Sequence, residues 1–445
     1  MLAVDLGATS VRVAAIDLAA PFPQVEVVHR WHHTPLEADD GHLRWDWPGI
    51  VSHVMAGLEA GLKAGPVSSI GVDGWGVDYG LLGDDDRLVD LPFSYRDTRS
   101  AGWEATAAGI GVERLYSATG IQLMGINTVF QLAHEQPERL DNAKRLLLLP
   151  DLLVHELTGF RAAEVSNMST TGLMDARSRD WSDELIASIN VPRDLFPRPV
   201  VAGTQAGTWR GVSVTVVGSH DTASAFLGAP AHQVARDPDV FVSAGSWVLV
   251  GTERAEPDTS DATRRLNFSN EAGALGGVRL LKNVVGFWVL EGCRSAWGDA
   301  TVADLVAEAA AVTGPVPRFD AADHRFVSPT DMLDEVLAAT ALGSATPRAV
   351  VVRSVLESIV DGVARVIDEL ERVCREPMGR IVLVGGGARS ELFVALLARR
   401  TGREVVVGSA EATAIGNAVV QGIALGRFAD RADAGRWLDN LEVPT

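Results

Sequence analysis

A pattern of strand, glycine-and-hydroxyl turn, strand occurs twice in this chain, and it limits the fold more than any other feature. At the start, Leu2, Val4 and Leu6 alternate along one strand, and Val11, Val13 and Ala15 along the next. Gly7-Ala8-Thr9-Ser10 is the turn between them. Period-two alternation gives each strand one core-facing side, and the turn composition predicts a hairpin. The second copy lies near the middle, with Val240 to Ser243 as strand, Ala244-Gly245-Ser246 as turn and Trp247 to Val250 as strand. A chain of 445 residues is also too long for one ordinary core. Each half therefore opens on the same unit.

The stretches between follow an α/β rhythm. Ile70 to Tyr79 predicts a further strand and turn, and Leu146 to Leu149 a buried run ended by Pro150. Val212 to Val217 is β-branched and reads as a strand that ends at Gly218-Ser219-His220-Asp221-Thr222. The polar segment Ala235-Arg236-Asp237-Pro238-Asp239 predicts a linker. In the second half, Val355, Ile359, Val363, Val366, Ile367 and Leu370 share one helical face. Residues 380–384 read as a buried strand before Gly385-Gly386-Gly387, with a helix at 390–400, a strand at 404–407 and a helix at 412–423 following. This alternation predicts α/β architecture in both halves.

Charge and cysteine usage remove several classes. A formal net charge of -19 and the lack of any basic run argue against a nucleic-acid partner. No run of 18 apolar residues exists, so no membrane span is expected. Met1-Leu2-Ala3-Val4-Asp5 lacks a basic n-region and reads as a core strand. Cys293 and Cys374 alone make no disulfide framework. Together these predict a cytoplasmic protein.

Five segments carry candidate chemistry. The Asp5-Leu6-Gly7-Ala8-Thr9-Ser10 turn exposes backbone N–H groups and hydroxyls that can cradle phosphates, and Asp5 can hold Mg²⁺ through water. An ordinary hairpin is the other reading. Ser243-Ala244-Gly245-Ser246-Trp247 repeats that chemistry. Gly385-Gly386-Gly387 lets an adenine or ribose approach the backbone, though it also suits a flexible turn. In His220-Asp221-Thr222-Ala223-Ser224-Ala225, Asp221 stands at a strand end, where α/β sheets bind ligands, or else caps a helix. Asp73-Gly74-Trp75-Gly76-Val77-Asp78 offers carboxylates for hydroxyls and an indole face for C–H groups, or a buried strand with a packed Trp. No Gly-x-x-x-x-Gly-Lys-Ser/Thr loop is present. His29, His32 and His33 read as a solvated strand or loop, and Tyr95-Arg96-Asp97-Thr98-Arg99 as an internal ion-pair turn.

These segments, with Trp75 to Tyr79, Asn267-Phe268-Ser269-Asn270-Glu271, Leu281-Lys282-Asn283 and Glu411 to Ala418, run collinear with one family. The chain resembles the FGGY carbohydrate kinases of the actin-like, two-domain ATPase superfamily over nearly its whole length. The resemblance implies an α/β fold of two RNase H-like domains around a central cleft. Residues 1–236 would carry the sugar and phosphate side with the catalytic Asp, and 237–445 the adenosine side. It implies that Asp221 is the base. It places ATP phosphates on Ala8, Thr9, Ser10, Val11 and Arg12, beside Asp5 and Gly7, and near Gly245, Ser246 and Glu291, with adenosine by Gly386 and Gly387. It places the sugar against Trp75, Gly76, Asp78, His220, Asp221, Thr222 and Asn283. ATP and Mg²⁺ are the implied cofactors, with the metal on Asp5 through water.

The implied reaction is γ-phosphoryl transfer to a small ketose, L-rhamnulose first, with L-fuculose or D-xylulose as alternatives. A non-catalytic nucleotide or sugar sensor is the rival from another class. The implied assembly is a monomer or small homo-oligomer. Three positions depart from the family pattern: Val11 replaces a small residue such as Gly, Ser246 replaces Thr, and Glu291 replaces Gln.

Overall fold

The structure, a computed structural model, describes residues 1–230, 237–298, 300–326 and 329–439. The expected boundary at 236/237, with Ala235 and Arg236 of the linker, lies outside the described residues. The chain divides into two compact units that are discontinuous in sequence. One comprises Met1–His232, Glu253–Leu280 and Ala412–Pro444, and the other Gln233–Thr252 and Leu281–Glu411.

The first sheet uses β1 (Leu2–Gly7), β2 (Ser10–Ile16), β3 (Val25–His32), β4 (Ser69–Gly74), β5 (Gln205–Trp209) and β6 (Val212–Thr215). Their order is β5-β6-β4-β1-β2-β3. The pairs β1–β2 and β2–β3 are antiparallel, and β1–β4 and β4–β6 are parallel. The second sheet uses β7 (Val240–Ala244), β8 (Trp247–Arg254), β9 (Ser269–Ala272), β10 (Val278–Val285), β11 (Ile381–Val384) and β12 (Val405–Val407), in the order β9-β10-β8-β7-β11-β12. Again a hairpin, β7–β8, is antiparallel, and its first strand pairs in parallel with β11 and through it β12. The repeated hairpin of the sequence is thus a repeated sheet topology.

The two faces of the first sheet bury different things. Leu2, Val4, Leu6, Val11 and Val13 pack on α1 (Trp47–Ala64) through Ile50, Val54 and Leu58. Those three recur every four residues, which is one helical stripe. Asp46 caps α1 by accepting from Gly49 N, and Pro48 fits its first turn, where no N–H is needed. On the other face, Ala3 and Ala14 meet Ala414, Ile415 and Ala418 of α2 (Ala412–Ala424). These small residues bring helix and sheet close.

The Leu146–Leu149 run differs from expectation. Its strand is Arg145–Leu148, and Pro150 starts the helix Leu149–Thr158 instead of closing the segment. Proline is tolerated in a first helical turn, so the same residue serves as a start signal here.

Candidate active site

In the first unit the parallel strands finish side by side. Asp5 on β1 is in register with Asp73 on β4. Gly74 N donates to Ser219 O at 2.9 Å, which brings the segment after β6 to the same edge. That segment leads into α3 (Asp221–Leu227), so Asp5, Asp73 and Asp221 gather where α/β sheets bind ligands. The Gly7–Ser10 turn joins β1 to β2 at this edge.

The three carboxylates are differently placed. Asp221 is about one-third exposed at the side chain. Its Oδ1 accepts from Thr222 Oγ1 at 3.0 Å and lies 3.5 Å from His220 Nε2. Asp5 is buried and pairs with Arg12 across the hairpin. Asp73 is fully buried, with Oδ2 accepting from Asn417 Nδ2 at 2.6 Å and Oδ1 without a hydrogen-bond partner. Burial, then the nearby Asp5 charge, push the Asp73 carboxyl well above the ordinary aspartate range, with Asp221 adding to the rise and Asn417 opposing it.

The approach to Asp221 is held from behind. Buried Glu164 accepts from Ser219 N at 2.9 Å, Ser219 Oγ at 3.0 Å and the Ser166 hydroxyl, and Ser166 Oγ accepts from His220 N at 3.2 Å. Burial raises the Glu164 carboxyl above its usual range, and these donors pull against that rise. Glu164 carried no sequence signal, because it sits 55 residues from its partner in an unremarkable segment.

The other expected residues of this unit fall into two groups. Ala8, Thr9, Ser10 and Arg12 are half-buried along the turn and the start of β2. Val11 is fully buried among Leu2, Val4 and Leu6, so only its backbone faces the turn. His33, expected as solvated, is buried. Its ring nitrogen Nε2 lies 3.0 Å from Gly7 O, and its N donates to Thr9 O at 3.1 Å. The turn needs an outside donor for these carbonyls, and the strand after β3 supplies it. His32 is exposed on β3, in line with expectation.

Asp78 is fully buried. Its carboxylate accepts from Trp45 Nε1 at 2.7 Å, Trp75 Nε1 at 2.9 Å, Tyr95 N at 3.1 Å and Gln131 Nε2 at 3.0 Å. Burial raises its carboxyl above the ordinary range despite those four donors. Three of these donors are on Oδ2 and one is on Oδ1, so the buried Asp78 carboxylate holds the Trp75 ring in place. Gly76 backs on Thr170, whose Oγ1 accepts from Val77 N at 3.2 Å. Asp97 accepts from Leu43 N and Arg99 N, so the Tyr95–Arg99 segment is an internal turn of the kind expected.

In the second unit, the β7–β11 register sets Ser243 opposite Val384, so the β7–β8 turn and the triple glycine share an edge. A cavity of about 830 Å³ opens there, lined by Gly245, Ser246, Phe287, Gly386, Gly387 and Arg389 among others. Its remaining wall is largely apolar, with Val302, Val306 and Leu392. That suits a flat heterocycle with a polar end. Glu291 is not among the residues lining this cavity, and its Oε1 pairs with Arg294 at 2.6 Å. Asn283 lies on β10 of the same unit, half-buried.

Among the described residues, no group of three His, Cys, Asp or Glu side chains is arranged to hold a metal directly, and no helix is long and apolar enough to cross a membrane.

A mixed sheet with a glycine-hydroxyl hairpin turn occurs twice in the chain, and comparison with known proteins identifies the fold. The N-terminal domain of the FGGY family of carbohydrate kinases matches residues 1–228, and the C-terminal domain of that family matches residues 240–425. The chain belongs to the FGGY family and is a carbohydrate kinase. Among curated relatives, a rhamnulokinase of Bacteroides thetaiotaomicron is 34% identical over 461 residues, covering 99% of this chain and 94% of that protein. A rhamnulokinase of Pectobacterium carotovorum is 35% identical, covering 97% and 89%. Among solved structures, a ligand-bound xylulose kinase from Lactobacillus acidophilus aligns with a TM-score of 0.79 at 15% identity, over 98% of this chain and 91% of that one. A Plasmodium falciparum glycerol kinase with ADP aligns with a TM-score of 0.74, also at 15% identity, over 98% and 92%. At such identities these structures bear on the fold alone.

Proposed function

We propose that this kinase transfers the γ-phosphoryl group of ATP to the 1-hydroxyl of L-rhamnulose, giving L-rhamnulose 1-phosphate, with Asp221 as base. The observation that carries the chemistry is the pose of Asp221, the one carboxylate at this strand edge that is both partly exposed and held by neighbours on its own segment. The sugar rests on the names of the relatives, which are rhamnulokinases at 34–35% identity over nearly the full chain.

In this reading the sugar lies against Trp75, Gly76, His220, Asp221, Thr222 and Asn283. Asp78 acts by holding Trp75. The phosphates lie on the Gly7–Arg12 turn and near Gly245 and Ser246, with adenosine in the cavity beside Gly386 and Gly387. The family domains are read as residues 1–236 and 237–445. Asp221 accepts the hydrogen bond of the 1-hydroxyl and takes its proton late. A carboxylate is a weak base. That is enough in a loose transition state, where positioning supplies most of the rate.

The unpartnered Oδ1 of Asp73, with Asp5 and Asp221 nearby, supports a cation held through water at this edge. Asp5 would hold Mg²⁺ through water, and the metal supplies charge neutralisation at the phosphates. Phe287, Val302 and Val306 would keep water from the adenine.

The test is ADP formation with Mg²⁺ and a panel of L-rhamnulose, L-fuculose, D-xylulose and a no-sugar control. Turnover led by L-rhamnulose supports the reading. A lead by another ketose moves the specificity and keeps the mechanism. Folded protein with no turnover on any sugar favours a non-catalytic sensor.

A further inference from the structure

Behind Asp221 lies a buried ion pair, Glu271 with Arg279, that the reaction as written does not use. His220 precedes Asp221, and its Nε2 is 3.5 Å from Asp221 Oδ1. Its Nδ1 is 3.2 Å from Glu271 Oε2 on β9 and 3.2 Å from Arg279 Nη2 on β10. Arg279 Nη2 and Glu271 Oε2 are 3.2 Å apart. Both side chains are almost wholly out of water, at 1% and 4% exposure. A buried ion pair is held at a desolvation cost and contributes little net stability, so its presence calls for another role.

The surroundings make the pair rigid. Arg279 also donates to Ala272 O through Nε at 3.3 Å and Nη2 at 3.2 Å, and its guanidinium lies over the Phe226 ring of α3. Ser269 Oγ donates to Glu271 Oε1 at 3.1 Å. Burial pushes the Glu271 carboxyl up, but His220, Arg279 and Ser269 outweigh it and keep it below its ordinary value. Glu271 therefore stays a carboxylate tied through Oε1 to Ser269; its Oε2, which has no hydrogen-bond partner, and Arg279 Nη2 both face Nδ1 of His220, while Asp221 faces Nε2. On the backbone side, Ser166 Oγ fixes His220 N and is itself tied to Glu164.

We propose that the buried Glu271–Arg279 pair is a positioning device for this kinase: it fixes the His220 ring beside Asp221, with Nε2 turned to that carboxylate. Neither residue reaches substrate. Glu271 acts on the reaction only through His220. The proposal rests on the reading of Asp221 as base, and it extends the site to β9 and β10.

The test is a double-mutant cycle with a structural readout. Glu271→Gln keeps volume and removes the charge. Its kcat should fall about 10²-fold, the scale of a misplacement of about 1 Å near a reacting group, with KM for ATP within twofold. In a His220→Asn background the same change should alter kcat by less than twofold, because the ring through which Glu271 acts is gone. If Glu271→Gln fails to fold because it strands the buried guanidinium, Glu271→Leu with Arg279→Met replaces the pair by apolar groups of similar size and should fold. A crystal structure of either variant should show the His220 ring rotated away from Asp221. Wild-type kcat with the ring unmoved would overturn the proposal. So would losses that multiply in the His220→Asn background. If Asp221→Asn kept its turnover, the base assignment would fail, yet the His220 orientation in the variant crystal would still decide this proposal.

Discussion

Gly416 on α2 can be neither larger nor moved without disturbing Asp221. A Cβ built on Gly416 would lie 1.9 Å from Ser224 O, 2.7 Å from Ser224 C and 2.9 Å from Gly228 N. All three are backbone atoms of α3 or its C-terminal end, so no side chain can swing aside. Ordinary contact begins at 3.4 Å, so Gly416→Ala must open the α2–α3 crossing by about 1.5 Å. Ser224 is one helical turn from Asp221, so the proposed base moves with it. A shift on the order of 1 Å at a catalytic group costs about 10²-fold in rate. Overpacking costs about 1–3 kcal/mol. Alanine's better helix propensity returns about 0.5–1 kcal/mol of that. Gly416→Ala should therefore lose about 1–2 kcal/mol of stability and most of its kcat. Gly109 has nothing within 4 Å of its would-be Cβ, so Gly109→Ala is the control and should hold or gain stability at full activity. Urea midpoints and ADP-coupled turnover read both effects. A Gly416→Ala variant with a wild-type midpoint and kcat within twofold would refute the packing argument.

Two other outcomes follow from the same geometry. Asp73 has a raised folded-state pKa, so above the ordinary aspartate pKa of about 3.9 the folded state binds the extra proton and stability falls as pH rises toward the raised value. Asp73→Asn removes that loss while keeping an oxygen for Asn417, so its urea midpoint relative to wild type should climb from pH 5 to pH 8; a constant difference would contradict it. Gly386 has only Ala244 O, at 3.9 Å, near its would-be Cβ, so Gly386→Val should fold normally and fill part of the cavity. KM for ATP should rise on the order of tenfold with KM for the sugar unchanged, and equal KM values for ATP would empty the adenosine assignment.

Legibility in the sequence followed the range of the interactions. Both hairpins, the strand before Asp221 and the glycines after Val384 were readable because period and turn chemistry are local. Asn417 and Asp73 are 344 residues apart, and no window of sequence links them. The return of Ala412–Ala424 to the first unit is likewise invisible to periodicity, although the small residues on that helix were a trace of its close packing. Asp78 looked like a sugar ligand because a carboxylate beside a Trp and glycines suits one. Its four donors come from Trp45, Trp75, Tyr95 and Gln131, three of them distant in sequence. His33 read as surface for the same reason, since its partner is Gly7 O on another strand. Pro150 misled as a stop because proline marks helix starts as well.

The most direct test of the account is Asp221→Asn, assayed for sugar binding by calorimetry and for ADP formation with the best ketose of the panel. Sugar affinity should stay within a fewfold of wild type and kcat should fall by about 10²–10⁴-fold, the range for a lost general base. Near-normal turnover in folded Asp221→Asn protein would contradict it and remove Asp221 from the chemistry.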